Sequence, residues 1–160
     1  AKDIFERCPH PFDIDAVGHK YPTDYNQSMN TVLTQECIRY NNMIVVMRRT
    51  LQESLKALKG LVVMTDELEA VTDAIFDNQV PDAWASKAYP SLKPLSSWVL
   101  DLLERIQFIE GWIEHGPPPA YWISGLFFPQ AFLTGTLQNY ARKNGFAIDS
   151  LGWNLSLIHI

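Results

Sequence analysis

Leu33, Cys37, Tyr40, Ile44, Met47, Leu51, Leu55, Leu58 and Val62 recur at alternating steps of three and four residues. That spacing aligns side chains along one face of an α-helix and decides the fold class. Asp24 with Gln27 three residues on has the spacing of a capping box, which places the helix start near residue 25. Running to about residue 58, such a helix measures about 50 Å at 1.5 Å per residue, longer than a small domain is wide, so it is expected to protrude or to span two layers. Gly60 marks where it stops or bends, because glycine costs about 1 kcal/mol relative to alanine inside a helix.

The elements on either side follow from the same reasoning. Residues 1–24 hold Pro9, Pro11, Gly18 and Pro22 among short apolar groups and read as an irregular connector with room for one short helix. Downstream, Asp66 and Glu69 have capping-box spacing ahead of the stripe Leu68, Val71, Ile75 and Phe76. Pro94 suits a first helical position, and Leu95, Trp98, Val99, Leu102, Leu103, Ile106, Ile109 and Ile113 behind it give another helix, closed by Gly116 and Pro117-Pro118-Pro119. Tyr121-Trp122-Ile123 is open between a short strand and a buried turn. Pro129 begins a last helix that sends Phe132, Leu133, Thr136, Leu137 and Tyr140 inward, with Arg142 and Lys143 in its final turn and Gly145 beyond. Phe146, Ile148, Leu151, Trp153, Leu155, Leu157 and Ile160 come close to period two, which predicts a β segment. The expected architecture is therefore mainly α: a multi-helix domain with one long N-terminal helix and a short β segment at its C-terminal end. Its parts are a connector at 1–24, a helical body at 25–146 and a β element at 147–160.

Composition narrows the function. Of 160 residues, 47% are hydrophobic and 19% charged, the latter below the roughly 25% usual for soluble domains, so part of the surface is expected to be covered by a larger assembly. The net charge is −5 and the basic residues are scattered, which argues against a nucleic-acid face and against an anionic membrane as partners. No apolar run approaches the ~20 residues of a membrane-spanning helix, and Ala1 to Arg7 lacks the layout of a secretory signal. Cys8 and Cys37 form no Cys-x-x-Cys pair and are read as reduced thiols in a cytosolic compartment.

A search for chemistry yields little. Lys59-Gly60 follows a helix and lacks the upstream glycine and the hydroxyl of a phosphate-binding loop. His10, His19, His115 and His159 are isolated from one another, and Asp13-Ile14-Asp15 reads as loop carboxylates that hydrogen-bond locally, so no metal is expected. Ser124-Gly125 lacks the glycine of a nucleophile elbow, and Cys8 has no helix N-terminus to activate it. The acid pairs Glu67 with Glu69 and Asp101 with Glu104 read as helix starts and helix surfaces. No catalytic residue and no cofactor is expected. Trp84, Tyr89, Trp98, Trp112, Tyr121 and Trp122 gather in mid-chain around Lys93-Pro94, as a core or a docking surface.

Several phrases add a resemblance. They are Ser28-Met29-Asn30-Thr31-Val32-Leu33 with Gln35-Glu36, Lys56-Ala57-Leu58-Lys59-Gly60-Leu61-Val62-Val63-Met64, and Val80-Pro81 with Trp84. Lys87-Ala88-Tyr89-Pro90-Ser91-Leu92-Lys93-Pro94-Leu95, Phe127-Phe128-Pro129-Gln130-Ala131-Phe132-Leu133-Thr134-Gly135 and Leu137-Gln138-Asn139-Tyr140-Ala141-Arg142-Lys143 continue it. In this order, from about residue 21 to 145, they resemble the C-terminal region of dynein heavy chains. Lys56-Ala57-Leu58-Lys59-Gly60 and Ser96-Ser97-Trp98 look most like axonemal, particularly outer-arm, heavy chains. Cys37 departs from the aliphatic residue usual there, a small change because cysteine packs as a small hydrophobe. The match fades after Asp149.

The resemblance implies that residues 1–24 end the lid of the sixth AAA+ module and that the rest begins the domain after the six-module ring. It implies a non-catalytic structural and regulatory part of an ATP-driven, minus-end-directed microtubule motor. Its partners would be AAA+ ring modules of the same heavy chain and other dynein subunits, with no direct microtubule contact, in the cytoskeleton of a cilium or flagellum axoneme or in the cytoplasm. The alternative is a free-standing helical adaptor docking through its aromatic and proline loop. Trp84, Tyr89, Pro90, Lys93, Pro94, Trp98, Tyr140 and Arg142 are the candidate structural and interface residues. Trp84 to Trp98 is expected to act as a packed brace between the second periodic helix and the one beginning near Leu95.

Overall fold

The periodic run through Leu33 and Leu51 becomes a helix of 31 residues, Ser28–Leu58. The computed structural model describes residues 1–154, and in it this helix is the third. The segment 1–24 holds two short helices rather than one, α1 (Lys2–Arg7) and α2 (Ile14–Lys20), so the long helix is not the N-terminal element. After α3 (Ser28–Leu58) come α4 (Asp66–Phe76), α5 (Asp82–Ala85), α6 (Leu95–His115) and α7 (Pro129–Asn144). Each of these other α-helices packs against α3. No helix among the described residues is long and apolar enough to cross a membrane.

On α3 the residues Leu33, Cys37, Tyr40, Ile44, Met47 and Leu51 are buried as the spacing requires, joined by Val32, Glu36, Met43, Thr50 and Ser54. The buried stripe is wide because partners approach α3 from more than one side. Leu58 and Val62, which extend the periodic run, are instead exposed: Leu58 is the last residue of the helix and Val62 lies beyond it. Gly60 takes φ +72, the left-handed conformation glycine adopts without a Cβ penalty. The Leu61 N–H then reaches the Lys56 carbonyl and the Gly60 N–H reaches that of Ala57, a Schellman closure.

Helix starts depend on more distant groups. Asp24 accepts from Asn26 N–H one turn upstream of α3, and the first helical amide, Ser28 N–H, is satisfied by Asn139 Oδ1 on α7 at 2.9 Å. Helix α4 is capped by the Thr65 hydroxyl, one residue before the expected box. Phe76, expected in its apolar stripe, is 90% exposed. Beyond α4, Asn78 adopts φ +55; its carbonyl accepts from Leu95 N–H at 2.9 Å and its side-chain oxygen from Ser96 N–H at 3.0 Å. Pro94 therefore stands just ahead of α6 with extended backbone, while Asn78 does the capping.

Pro129 is the first residue of α7 and Gly145, at φ +68, ends it. Gly135 lets α7 lie on α3: a Cβ there would stand 2.9 Å from Met29 Cε and 3.2 Å from Val32 Cγ2. Ala141 is buried, whereas Tyr140, expected to point inward, is 53% exposed and stacks on Phe146. Tyr121-Trp122-Ile123 is neither the strand nor the buried turn: Tyr121 and Trp122 are half-buried, irregular backbone leading into a short 3-10 helix, Ile123–Gly125.

The expected β element is corrected as far as residue 154. Ile148–Ser150 is a 3-10 turn and no strand occurs among the described residues. Phe146, Ile148 and Trp153 remain exposed, because an alternating segment gains nothing as a strand without a neighbour to complete its hydrogen bonds. Residues 155–160 of that expectation lie outside the described residues.

Candidate interaction site

The mid-chain aromatics form two clusters. In one, Trp98 lies between Trp84 and Tyr89, with ring centroids 6.2 and 6.1 Å apart. Tyr89 then meets Phe127 and Tyr40 edge-on or tilted. All three central rings are buried, and the Trp84 indole N–H donates to the Thr50 hydroxyl on α3 at 2.9 Å. In the other cluster Trp112 meets Tyr121 edge-on with ring centroids 5.0 Å apart, and Tyr121 meets Phe132 at a tilt with centroids 4.7 Å apart. The loop residues Pro90, Lys93 and Pro94 are exposed, so the segment buries its rings at both ends and shows its prolines to solvent. Tyr140 and Arg142 belong to α7 and lie apart from this cluster.

Asp101 corrects the surface reading of the Asp101 and Glu104 pair. It is 6% exposed, and its two carboxylate oxygens receive Lys93 Nζ and Arg105 Nε at 2.7 Å each. Two cations make its burial tolerable. Burial pushes its carboxyl up, but the hydrogen bonds from Lys93 and Arg105 and the charge of Arg105 outweigh it and hold Asp101 below the usual aspartate value. The Arg105 guanidinium also lies 3.9 Å from the centre of the Tyr89 ring, a cation–π contact. Burial raises the Tyr89 phenol, so it stays protonated at neutral pH.

Glu36 is the second buried acid. On α3 at 1% exposure, it accepts the backbone N–H groups of Phe127 and Phe128 at the entrance to α7. Burial raises its carboxyl above the ordinary value, partly offset by those two hydrogen bonds and by the charges of Arg39 and Arg105. Nearby, Tyr40 donates to the Gly125 carbonyl at 2.9 Å. The Cys37 thiol is pushed up to about 12 by burial and by Glu36, and packs as a hydrophobe. Arg142 donates to the Tyr25 carbonyl and, at 2.8 Å, to the Ser28 hydroxyl, tying the end of α7 to the start of α3.

The first 24 residues are fastened at several points. Asn41 exchanges two hydrogen bonds with the Phe12 backbone, at 2.7 and 2.8 Å, and Arg48 donates to the carbonyls of Cys8 and Pro9. At the far end Tyr21 Oη donates to the carbonyls of Trp112 and Ile113, and Lys20 Nζ to that of Glu114, so α2 closes the C-terminal end of α6. Cys8 and Val17 sit in the same core as the long helices. Asp13 caps α2 through Ala16 N–H. Among the described residues, no three His, Cys, Asp or Glu side chains gather as metal ligands.

Buried acids holding backbone amides and cations, with stacked rings between helices, define an all-helical packing module. The protein belongs to the family of C-terminal domains of dynein heavy chains, which it matches over residues 1–159. It is 54% identical over 158 residues to dynein axonemal heavy chain 1 of Rattus norvegicus, an overlap of 99% of this chain and 4% of that protein. It is 50% identical over 157 residues to dynein axonemal heavy chain 12 of the same species, an overlap of 98% of this chain and 5% of that one. With dynein axonemal heavy chain 3 of Mus musculus the identity is 48% over 157 residues, 98% of this chain and 4% of that one. The sequence thus spans about one twentieth of the relatives it matches. These names specify an axoneme but no arm.

Proposed function

We propose that this protein is a non-catalytic structural and regulatory module of a dynein heavy chain, docked on the AAA+ ring of the same polypeptide. In this reading residues 1–24 join it to the lid of the sixth AAA+ module, and other dynein subunits are its neighbours in the assembly. Its place is the axoneme of a cilium or flagellum. ATP hydrolysis and minus-end-directed movement on microtubules belong to other parts of the heavy chain.

One observation carries the proposal. Around Gly60, in a stretch that also bears the family resemblance, Leu58, Leu61, Val62 and Val63 are 62%, 70%, 43% and 83% exposed. A contiguous apolar turn of this kind is unfavourable in water and marks a surface that is covered in the working assembly. The remaining nineteen-twentieths or so of a heavy chain of the relatives' length supplies the cover.

The test is a full-length heavy chain with Leu61→Asp and Val63→Asp together. Both side chains are exposed, so the module should stay folded while its seat on the ring weakens. The expected result is faster proteolytic release of the module, with altered gliding velocity or ATPase coupling. Unchanged proteolysis and unchanged motility would overturn the reading.

A further inference from the structure

Between Lys59 and Lys87 the sequence holds six acids and no base, so this stretch alone carries a charge of −6 against −5 for the whole protein. All six are exposed. Among the described residues only Glu67 of the six is in an ion pair, with Arg49 on α3 at 3.0 Å. In the middle of the stretch Phe76 is 90% exposed.

The arrangement on α4 is unfavourable for a helix left in water. Glu69, Asp73 and Asp77 follow one another at steps of four, so like charges repel along one row. Acids suit the first turn of α4, which holds Asp66, Glu67 and Glu69. Asp73, however, lies in the last turn and Asp77 is the C-cap, at the negative end of the helix dipole, with no base beside them. Phe76 shares this outer side, turned away from the buried Leu68 and Val71. Solubility alone is better served by opposite charges at steps of four, which stabilise a helix. A cationic surface with an apolar recess relieves both defects at once: its Lys or Arg side chains end the repulsion, and the recess, or a guanidinium laid on the ring, takes Phe76 out of water.

We infer that the outer face of α4 docks on a cationic surface of the same heavy chain, with Phe76 as its apolar anchor and Glu69, Asp73 and Asp77 as its charged contacts. That the surface belongs to the same polypeptide rests on the heavy-chain reading above; its cationic and apolar character rests on α4.

The experiment places a photo-reactive phenylalanine analogue at Phe76 of the full-length heavy chain, and separately at Val63, and maps the products by mass spectrometry. The expected product from Phe76 is a segment of the same heavy chain in which Lys and Arg outnumber Asp and Glu. Its yield should fall with added salt. It should also fall from the parent to Glu69→Gln with Asp73→Asn, and further, roughly tenfold or more, to Glu69→Lys with Asp73→Lys, as attraction becomes like-charge repulsion. Amide exchange in α3 reports that the module stays folded, and the neutral pair decides the matter if reversal disturbs α3. A Phe76 product with acids in excess, a product from a separate polypeptide, or a yield indifferent to both salt and charge overturns the inference. Products from Val63 with none from Phe76 leave the module docked through its apolar turn and refute the inference about α4. Silence from both positions refutes the heavy-chain docking as well.

Discussion

The indole N–H of Trp84 is held by the hydroxyl of Thr50, 34 positions earlier in the sequence, at 2.9 Å. That hydroxyl donates in turn to the Val46 carbonyl within α3. Thr50→Val keeps the shape and removes the acceptor, leaving a buried N–H unpaired at a cost of about 1–3 kcal/mol. Thr50→Ser should stay near the parent. Denaturant unfolding of the three proteins checks this ordering.

Trp98 stacks on both Trp84 and Tyr89 and is 1% exposed. Trp98→Ala should cost about 3–5 kcal/mol. Lys93→Ala should cost under about 1 kcal/mol, because half-exposed Lys93 shares Asp101 with Arg105, which remains. An unchanged unfolding midpoint for Trp98→Ala would disprove the brace. Lower stability with unchanged gliding and ATPase in the intact heavy chain would disprove its mechanical role.

Two buried acids give opposite pH signatures. Asp101 is held below its ordinary value, so its stabilisation is present above the usual aspartate range and is lost as pH falls through the folded value. Glu36 is raised, so its contribution is full below the usual glutamate range and is lost as pH rises through the folded value. In unfolding midpoints measured from about pH 3 to about 7, Asp101→Asn should remove part of the acid-side loss. Glu36→Gln should instead flatten a fall on the neutral side.

Asn78 performs two tasks, taking a positive φ and capping α6 with its side chain. Asn78→Gly keeps the backbone and loses only the cap, a change of about 1 kcal/mol or less. Asn78→Ala loses the cap and strains the backbone, adding about 1–2 kcal/mol. Thermal or denaturant melts should rank parent, glycine variant, alanine variant in falling stability.

The long helices were legible in the sequence because their information is local. Apolar steps of three and four, Pro129 at a start and Gly60, Gly116 and Gly145 at ends fix α3, α6 and α7 closely. The caps of α3 and α6 were hidden, since Asn139 and Asn78 reach them from other elements. The rings Trp84, Tyr89 and Trp98 stood out by clustering. Glu36, Thr50 and Arg105 did not, because one polar residue on an apolar face has no periodic signature; only its partner across the fold explains it. Period two misled at 146–154, where alternation exists without a neighbouring strand.

The fastening of α2 to the end of α6 also orders events in time. Lys20 and Tyr21 are held by carbonyls 91 to 94 residues further along the polypeptide. A ribosome delivers the N-terminal end first, so these two residues emerge long before Trp112, Ile113 and Glu114 exist to hold them. Asn41 and Arg48 can hold Cys8, Pro9 and Phe12 as soon as α3 has been made, whereas the end of α2 at Lys20 and Tyr21 must wait until α6 has been made.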